Sequence, residues 1–225
     1  MKMSKIRLIG DIHGDGDAYK EIIKDCEYSI QVGDMGYKYD WLRLTVDHLR
    51  HKFIPGNHES YDEVFELDHV VKTANNNQNF GMSNLAGFDF FFVRGGFSLD
   101  WQIRDLRYKM GMWPQTYFPE EELSELECHK CLEEYKKVKP RILISHECPR
   151  SISRMVGSDT LLIDYGHDPN TFTTRTSELL EAMIKEHQPE KMFFGHYHFN
   201  WSKKIDDTLF TCIGEHEFMD IEING

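Results

Sequence analysis

Apolar residues in this chain gather into short runs that stop abruptly at polar turns bearing glycine. The run Ile6-Arg7-Leu8-Ile9-Gly10 predicts a buried strand, followed by an acidic turn and a helical pattern over about 17–25. The unit then repeats. Residues 28–32 predict a strand, Gly33-Asp34-Met35-Gly36 a turn, and the spacing of Trp41, Leu42, Val46 and Leu49 a helix. A third short strand, 52–54, runs into Pro55-Gly56-Asn57-His58. Three strands thus end in turns carrying Asp, His or Asn. In open α/β sheets sites form beyond the carboxyl ends of strands, so these turns are expected to converge on one crevice.

The aromatic run 88–93 predicts another buried strand, and 94–118, rich in Gly, Trp and Tyr, a long excursion over the surface. Residues 120–137 begin acidic and end in lysines, as a helix dipole favours, and lead to a strand over 141–145 with His146 just past its end. Residues 151–176 are read as a candidate substrate loop. A helix over 176–187 stops before Pro189, and the strand 191–194 ends in Gly195-His196-Tyr197-His198. Two β-rich segments, 209–213 and 217–223, follow. No repeat, low-complexity tract or linker interrupts the pattern, so residues 1–225 are expected to form a single α/β domain.

Composition narrows the function classes. A 40% hydrophobic, 28% charged chain of 225 residues can bury a proper core. With 26 basic and 38 acidic residues the net charge is −12, so no general field favours nucleic acid or an anionic membrane. Cys26, Cys128, Cys131, Cys148 and Cys212 are odd in number and scattered, which argues against a disulfide framework and for reduced thiols in the cytoplasm. The segment 1–10 reaches Asp11 before a signal-peptide core is complete, and no apolar run approaches membrane-spanning length.

The strand-end residues carry the chemistry. Asp11 and His13 are two apart, so an extended chain would project them to one side, as it would His196 and His198, and each pair could chelate. Carboxylate, imidazole and amide oxygen together suit manganese, iron or zinc and are too nitrogen-rich for a calcium cage. Asp11, His13, Asp34, Asn57, His146, His196 and His198 are too many for one tetrahedral ion but suit two neighbouring ions sharing a carboxylate, for which Asp34 at the central turn is the candidate. Two such ions about 3.5–4 Å apart clamp phosphoryl oxygens and lower the pKa of a bridging water. An EF-hand reading of Asp11-x-His13-x-Asp15-Gly16 fails, because its twelfth position falls on Ile22. Cys128 and Cys131 have CxxC spacing without a second pair and read as ordinary helix residues. His48, His51, His129, His167, His187 and His216 belong to none of these turns.

The blocks GDIHGD, GDMG, GNHE, ISHE and GHYH, in that order and each after an apolar strand, resemble the calcineurin-like metallophosphoesterase superfamily from Asp11 to His198. The resemblance implies a four-layer αββα sandwich of two mixed β-sheets flanked by helices. It assigns one divalent ion to Asp11, His13 and His198 and the other to Asn57, His146 and His196, with Asp34 bridging. The ions would be manganese first, with iron, zinc, nickel or cobalt as alternatives. His58 would stand outside the metal shell and act as general acid, and Glu59 would orient a neighbour. The implied reaction is hydrolysis of a small phosphodiester or phosphomonoester, nucleotides among the candidates, with a metal-bridging hydroxide as nucleophile. A phosphoprotein phosphatase is the alternative, but that group continues GDxxDRG, and no arginine follows Asp34 here. An interaction scaffold on the same fold is the other alternative, against which the full ligand set argues. The segment Gly95 to Asp100 with Arg104, Trp113 and Pro114 looks like one found in small bacterial and phage members. Arg104, Arg150, Arg154 and Arg175 are candidate phosphate grips, since guanidinium matches phosphate oxygens bidentately. Trp101, Trp113 and Tyr117 are expected to pack the excursion against the core rather than stack on a base.

Overall fold

A computed structural model describes residues 5–222. In chain order the first elements are β1 (Lys5–Ile9), α1 (Gly16–Ile23), β2 (Ser29–Gln31), α2 (Asp40–Thr45), β3 (His51–Phe53), β4 (Phe80–Leu85), β5 (Phe88–Val93) and α3 (Trp101–Lys109). There follow α4 (Glu125–Val138), β6 (Ile142–Ser145), α5 (Arg150–Val156), α6 (Asp159–Asp164), α7 (Arg175–Glu186), β7 (Lys191–Phe194), β8 (Trp201–Ile205), β9 (Thr208–Cys212) and β10 (Phe218–Glu222). Residues 1–4, and the last residue of the 217–223 segment, lie outside the described residues. Among these residues no helix is long and apolar enough to cross a membrane.

Strand alternation explains the layering. On β1, Ile6 and Leu8 enter one core while Ile9 faces another; on β5, Phe90 and Phe92 separate in the same way from Phe91 and Val93. The Ile6 and Phe90 side is the filling between a four-stranded sheet, order β10-β1-β2-β3, and a six-stranded sheet, order β4-β5-β6-β7-β9-β8. The outer faces are covered by α1 and α2 on the first sheet and by α4, α5 and α7 on the second. Each sheet is mixed: β10, β4 and β8 run antiparallel to their neighbours and the remaining pairings are parallel. The expected αββα sandwich is therefore the observed one. Because both faces of the inner strands are buried, they read as continuous apolar runs.

Several sequence expectations need correction. The second helix stops at Thr45, so Leu49 is exposed, and the excursion at 94–118 contains α3 instead of running as open chain. The segment 151–176 is largely helical, as α5 and α6. Acidic residues 120–122 precede α4, which begins at a capping box between Ser124 and Glu127. Asp15 caps α1 by accepting from the Ala18 amide at 2.9 Å, an ordinary role for the residue that suggested a calcium loop. The five cysteines are free, and Cys131 is buried in α4.

Arg7 ties the first sheet to its covering helix. It lies opposite Asp220 on β10 and donates to both of its oxygens at 2.7 and 3.1 Å, and also to Asp25 and the Ile22 carbonyl, each at 2.6 Å. Arg7→Met is expected to cost about 1–2 kcal/mol in urea unfolding, a figure discounted because both carboxylates reach solvent. The Arg7 bond holds Asp220 below its ordinary value, so its contribution is present above the usual carboxylate range and is lost as pH falls through the folded value. The gap between wild type and variant should thus narrow below about pH 4. A constant gap would assign the cost to packing alone.

Candidate metal centre

The strand-end turns are sewn to one another by backbone bonds. Ile12 and His13 amides donate to the Asp34 carbonyl at 3.0 and 2.9 Å, and Gly14 donates to Met35 at 2.9 Å. The His58 amide donates to Asp34 Oδ1 at 2.7 Å, which fixes the carboxylate from the third turn. Glu59, fully buried, accepts from the Met35 amide and the Tyr39 hydroxyl, both at 2.7 Å, and so orients the second turn. From the other sheet, the Gly195 amide donates to the His146 carbonyl, and the His196 amide to both oxygens of Asp11 at 3.1 Å.

These turns are not extended. His13, Asp34, His196 and His198 have φ of 49°, 61°, 71° and 61°, the left-handed region that non-glycine residues rarely occupy. Such conformations persist only where the surroundings over-determine them, and they gather at functional sites. The two histidines of the last block accordingly part company. His196 Nδ1 lies 3.0 Å from Asn57 Oδ1 and 3.2 Å from His146 Nε2. His198 Nε2 lies 3.0 Å from His13 Nε2 and 3.2 Å from Asp11 Oδ2. The simple expectation that each two-apart pair points to one side fails for His196 and His198.

Two clusters of donor atoms result, with buried Asp34 between them. Its Oδ1 is 3.2 Å from His146 Nε2 and its Oδ2 is 3.9 Å from His13 Nε2. Ligating atoms of Asp11, His13 and His198 lie within 4.8 Å of one another, as do those of His13, Asp34 and His58, and those of Asp11, Asp34 and His146. Two ligands at right angles about 2.1 Å from one ion stand about 3.0 Å apart, the spacing seen here. Backbone room is part of the fit. Gly33 has φ of 124°, and a Cβ there would overlap the His146 ring; one at Gly195 would overlap Asp11 Oδ1.

The hydrogen bonds test whether a cation belongs. His146 Nδ1 faces the Val32 carbonyl at 3.2 Å, so the neutral ring carries its proton there and turns an Nε2 lone pair toward Asn57 Oδ1 at 2.9 Å and Asp34 Oδ1. Asn57 is oriented by donating its Nδ2 to Ser98 Oγ at 3.1 Å, which leaves only its oxygen for the cluster. His146 Nε2, Asn57 Oδ1 and Asp34 Oδ1 thus turn lone pairs toward one point, where a cation would be held. Without metal a proton can serve: burial opposes charge on His146, yet the Asp34 and Asp11 carboxylates carry it up to about 9. Burial and the neighbouring His146 push His196 down to about 3, so these rings cannot all be protonated together. Burial works against the Asp34 carboxylate, but His146, His58 and His13 hold it well below the usual range. The donor set fits divalent ions.

His58 differs from the others. Its Nε2 accepts from Arg104 Nη2 at 2.6 Å, so the neutral ring bears its proton on Nδ1. Burial, with help from the Arg104 charge, lowers it to about 4. Arg104 is itself buried on α3, paired with Asp100 at 2.7 Å and bonded to the Tyr37 hydroxyl at 2.9 Å. The other candidate arginines stand elsewhere: Arg150 pairs with Glu178 at 2.9 Å, Arg154 bonds the Asn170 carbonyl, and Arg175 lies 3.6 Å from Glu122 beside a separate hollow. Trp101 packs on Tyr117 with ring centroids 5.4 Å apart, and Arg107 covers Trp113.

A cleft of about 590 Å³ opens from Asp34, Asn57, His58, His196 and His198. Residues 97–100 line it, so the excursion begins inside the site and not on the surface. Ser98 and Glu147 line it, Glu121 stands behind Ser98, and all three are buried; none was given a role from the sequence. Ser98 donates to Glu121 Oε2 at 2.7 Å while holding Asn57. The legible signal was Gly95-Gly96-Phe97-Ser98, one more glycine-bearing turn at the end of a buried strand.

A family model described as calcineurin-like phosphoesterase matches residues 4–200. A dimetal phosphatase from Danio rerio superposes with a TM-score of 0.58 at 11% identity, covering 98% of this chain and 93% of that one. A putative 5'-nucleotidase from Staphylococcus aureus gives 0.56 at 14%, covering 96% and 50%. A protein from Thermus thermophilus gives 0.53 at 14%, covering 99% and 100%. At these identities the likeness is one of fold. A comparison with curated proteins finds no match.

Proposed function

The chain belongs to the calcineurin-like phosphoesterase family, hydrolases of phosphate esters, and from that premise we propose that it hydrolyses a phosphodiester or a nucleotide-like phosphomonoester with two divalent ions, manganese foremost. The observation that supports this most is the pair of donor clusters on either side of Asp34, in which imidazole nitrogens, an amide oxygen and carboxylate oxygens stand 2.9–3.2 Å from one another. Asp11, His13 and His198 would hold one ion, Asn57, His146 and His196 the other, and Asp34 both. When bound, two such ions polarise phosphoryl oxygens and lower the pKa of a water between them.

The chain's own residues supply the rest. Ser98 and Glu121 keep the Asn57 oxygen turned inward. Glu59 and the His58 amide fix the second and third turns, so the ligands need not reorganise as charge develops. His58 offers an Nδ1–H hydrogen bond to the departing oxygen as charge develops on it, while Arg104, bonded to its far nitrogen, supplies positive charge near the phosphoryl group.

Substrate class follows from what is missing after Asp34. Met35, Gly36, Tyr37 and Lys38 bring no arginine, and the one arginine lining the cleft reaches it from α3. With manganese-loaded protein, turnover of bis(p-nitrophenyl) phosphate or of nucleotides should exceed that of phosphoserine peptides. A clear preference for the peptides would overturn this reading in favour of a protein phosphatase.

A further inference from the structure

The packing of α3 is inverted. Of its nine residues only Arg104 is buried, while the apolar side chains of Ile103, Leu106 and Tyr108 are exposed. Burial of apolar surface alone would seat the helix the other way round, and arginine is rarely buried unless it is paired. The helix therefore carries one guanidinium to the cleft, where Arg104 lines the wall beside His58.

Each nitrogen of that guanidinium has its own partner. Nε lies 2.7 Å from Asp100 Oδ1. Nη1 donates to the Tyr37 hydroxyl at 2.9 Å and to the Thr116 carbonyl at 3.3 Å, and the Tyr37 hydroxyl donates to the same carbonyl at 2.8 Å. Nη2 is left for His58 Nε2, at 2.6 Å. A planar fork held at Nε and Nη1 cannot turn, so the direction of its Nη2 bond follows from the other two.

Asp100 forgoes an ordinary role to make its contact. It stands at the N-cap of α3, where an aspartate usually accepts from a backbone amide, yet its side chain caps nothing. It is the only carboxylate paired with Arg104 among the described residues.

We infer that Asp100 is a positioning residue: by holding Arg104 Nε it aims Nη2 at His58 and keeps that ring in the tautomer that donates from Nδ1. The expected effect on rate rests on the phosphoesterase reading, whereas the effect on the His58 ring does not. A neutral imidazole whose Nε2 accepts from a fixed cation must bear its proton on Nδ1. Once Arg104 is free to turn, nothing in this set of contacts holds the proton there.

Two readouts test it. In isotope-labelled protein loaded with zinc, which is diamagnetic, the ring-nitrogen NMR signals of His58 are identified by their absence in His58→Gln. They should show one tautomer, protonated on Nδ1, in the wild type and both tautomers in Asp100→Ala. In manganese-loaded protein Asp100→Ala should lower kcat on a nucleoside ester about 10-fold with KM changed by less than about threefold, and Asp100→Asn, which keeps an acceptor oxygen, should lose less. In an Arg104→Gln background the change to Ala should cost less than about twofold further, since a residue that acts through Arg104 has nothing left to position. Unfolding midpoints identify a variant that fails to fold, in which case Asp100→Asn takes its place in both readouts. An unchanged His58 tautomer in Asp100→Ala, or a full 10-fold loss in the Arg104→Gln background, would overturn the inference. Absence of turnover by the wild type on any ester would count against the phosphoesterase reading, and the NMR comparison would still decide the role of Asp100.

Discussion

Asp34→Asn should leave a folded protein that holds neither ion tightly and turns over at least about 10³-fold more slowly, since losing about 4 kcal/mol of metal assistance corresponds to that factor. The substitution keeps the shape of the side chain, and an amide oxygen can still accept from the His58 amide, now 2.7 Å from Asp34 Oδ1. What disappears is the charge between the clusters. Both ions should suffer because Asp34 approaches His146 with one oxygen and His13 with the other. Metal analysis with kinetics on an aryl phosphate decides it. Normal metal content with normal activity would remove Asp34 from the bridge, and loss of one ion alone would make it a ligand of a single site.

His58→Ala should lower the rate by about 10²–10⁴ while both ions stay bound. The residue lies close enough to His13 and Asp34 to be taken for a ligand. Its Nε2, however, is occupied by Arg104 and its Nδ1 carries the proton, so neither nitrogen has a lone pair to give. A donor in the transition state matters most when the departing oxygen is basic. The loss should therefore be smaller for a nitrophenyl ester than for an alkyl or nucleoside ester, because nitrophenolate leaves without a proton. Equal losses on both esters would remove His58 from the leaving oxygen, and loss of an ion would make it a ligand after all. Arg104→Lys keeps a charge but not the planar fork, so it should impair both esters alike.

The inner strands and the turns at their ends were legible because burial on both faces makes such strands continuous apolar runs, and sites in this architecture sit where those runs stop. Edge strands were not. β8 reads Trp-Ser-Lys-Lys-Ile and is mostly exposed, the polar dress of a protected edge, and β4 buries only its two ends fully enough to show a pattern. The β4–β5 turn carries Ala86 and Gly87 with φ of 54° and 89°, where an Asn-Gly pair would have announced the hairpin. α3, α5 and α6 are short and lie over the cleft, so they bury too narrow a stripe to declare a helical period. The residues that the structure gathers around Asp34 could be read, but their division into two clusters could not be read from spacing. An extended chain would pair His196 with His198, and only the left-handed turns send them to different clusters.

Metal stoichiometry of the purified wild type, equilibrated with excess manganese, freed of unbound ion and measured by mass spectrometry, tests the central claim most directly. About two ions per chain are expected, with activity lost on chelation and restored on reloading. A fully active protein holding one ion or none would contradict the two-ion centre around Asp34.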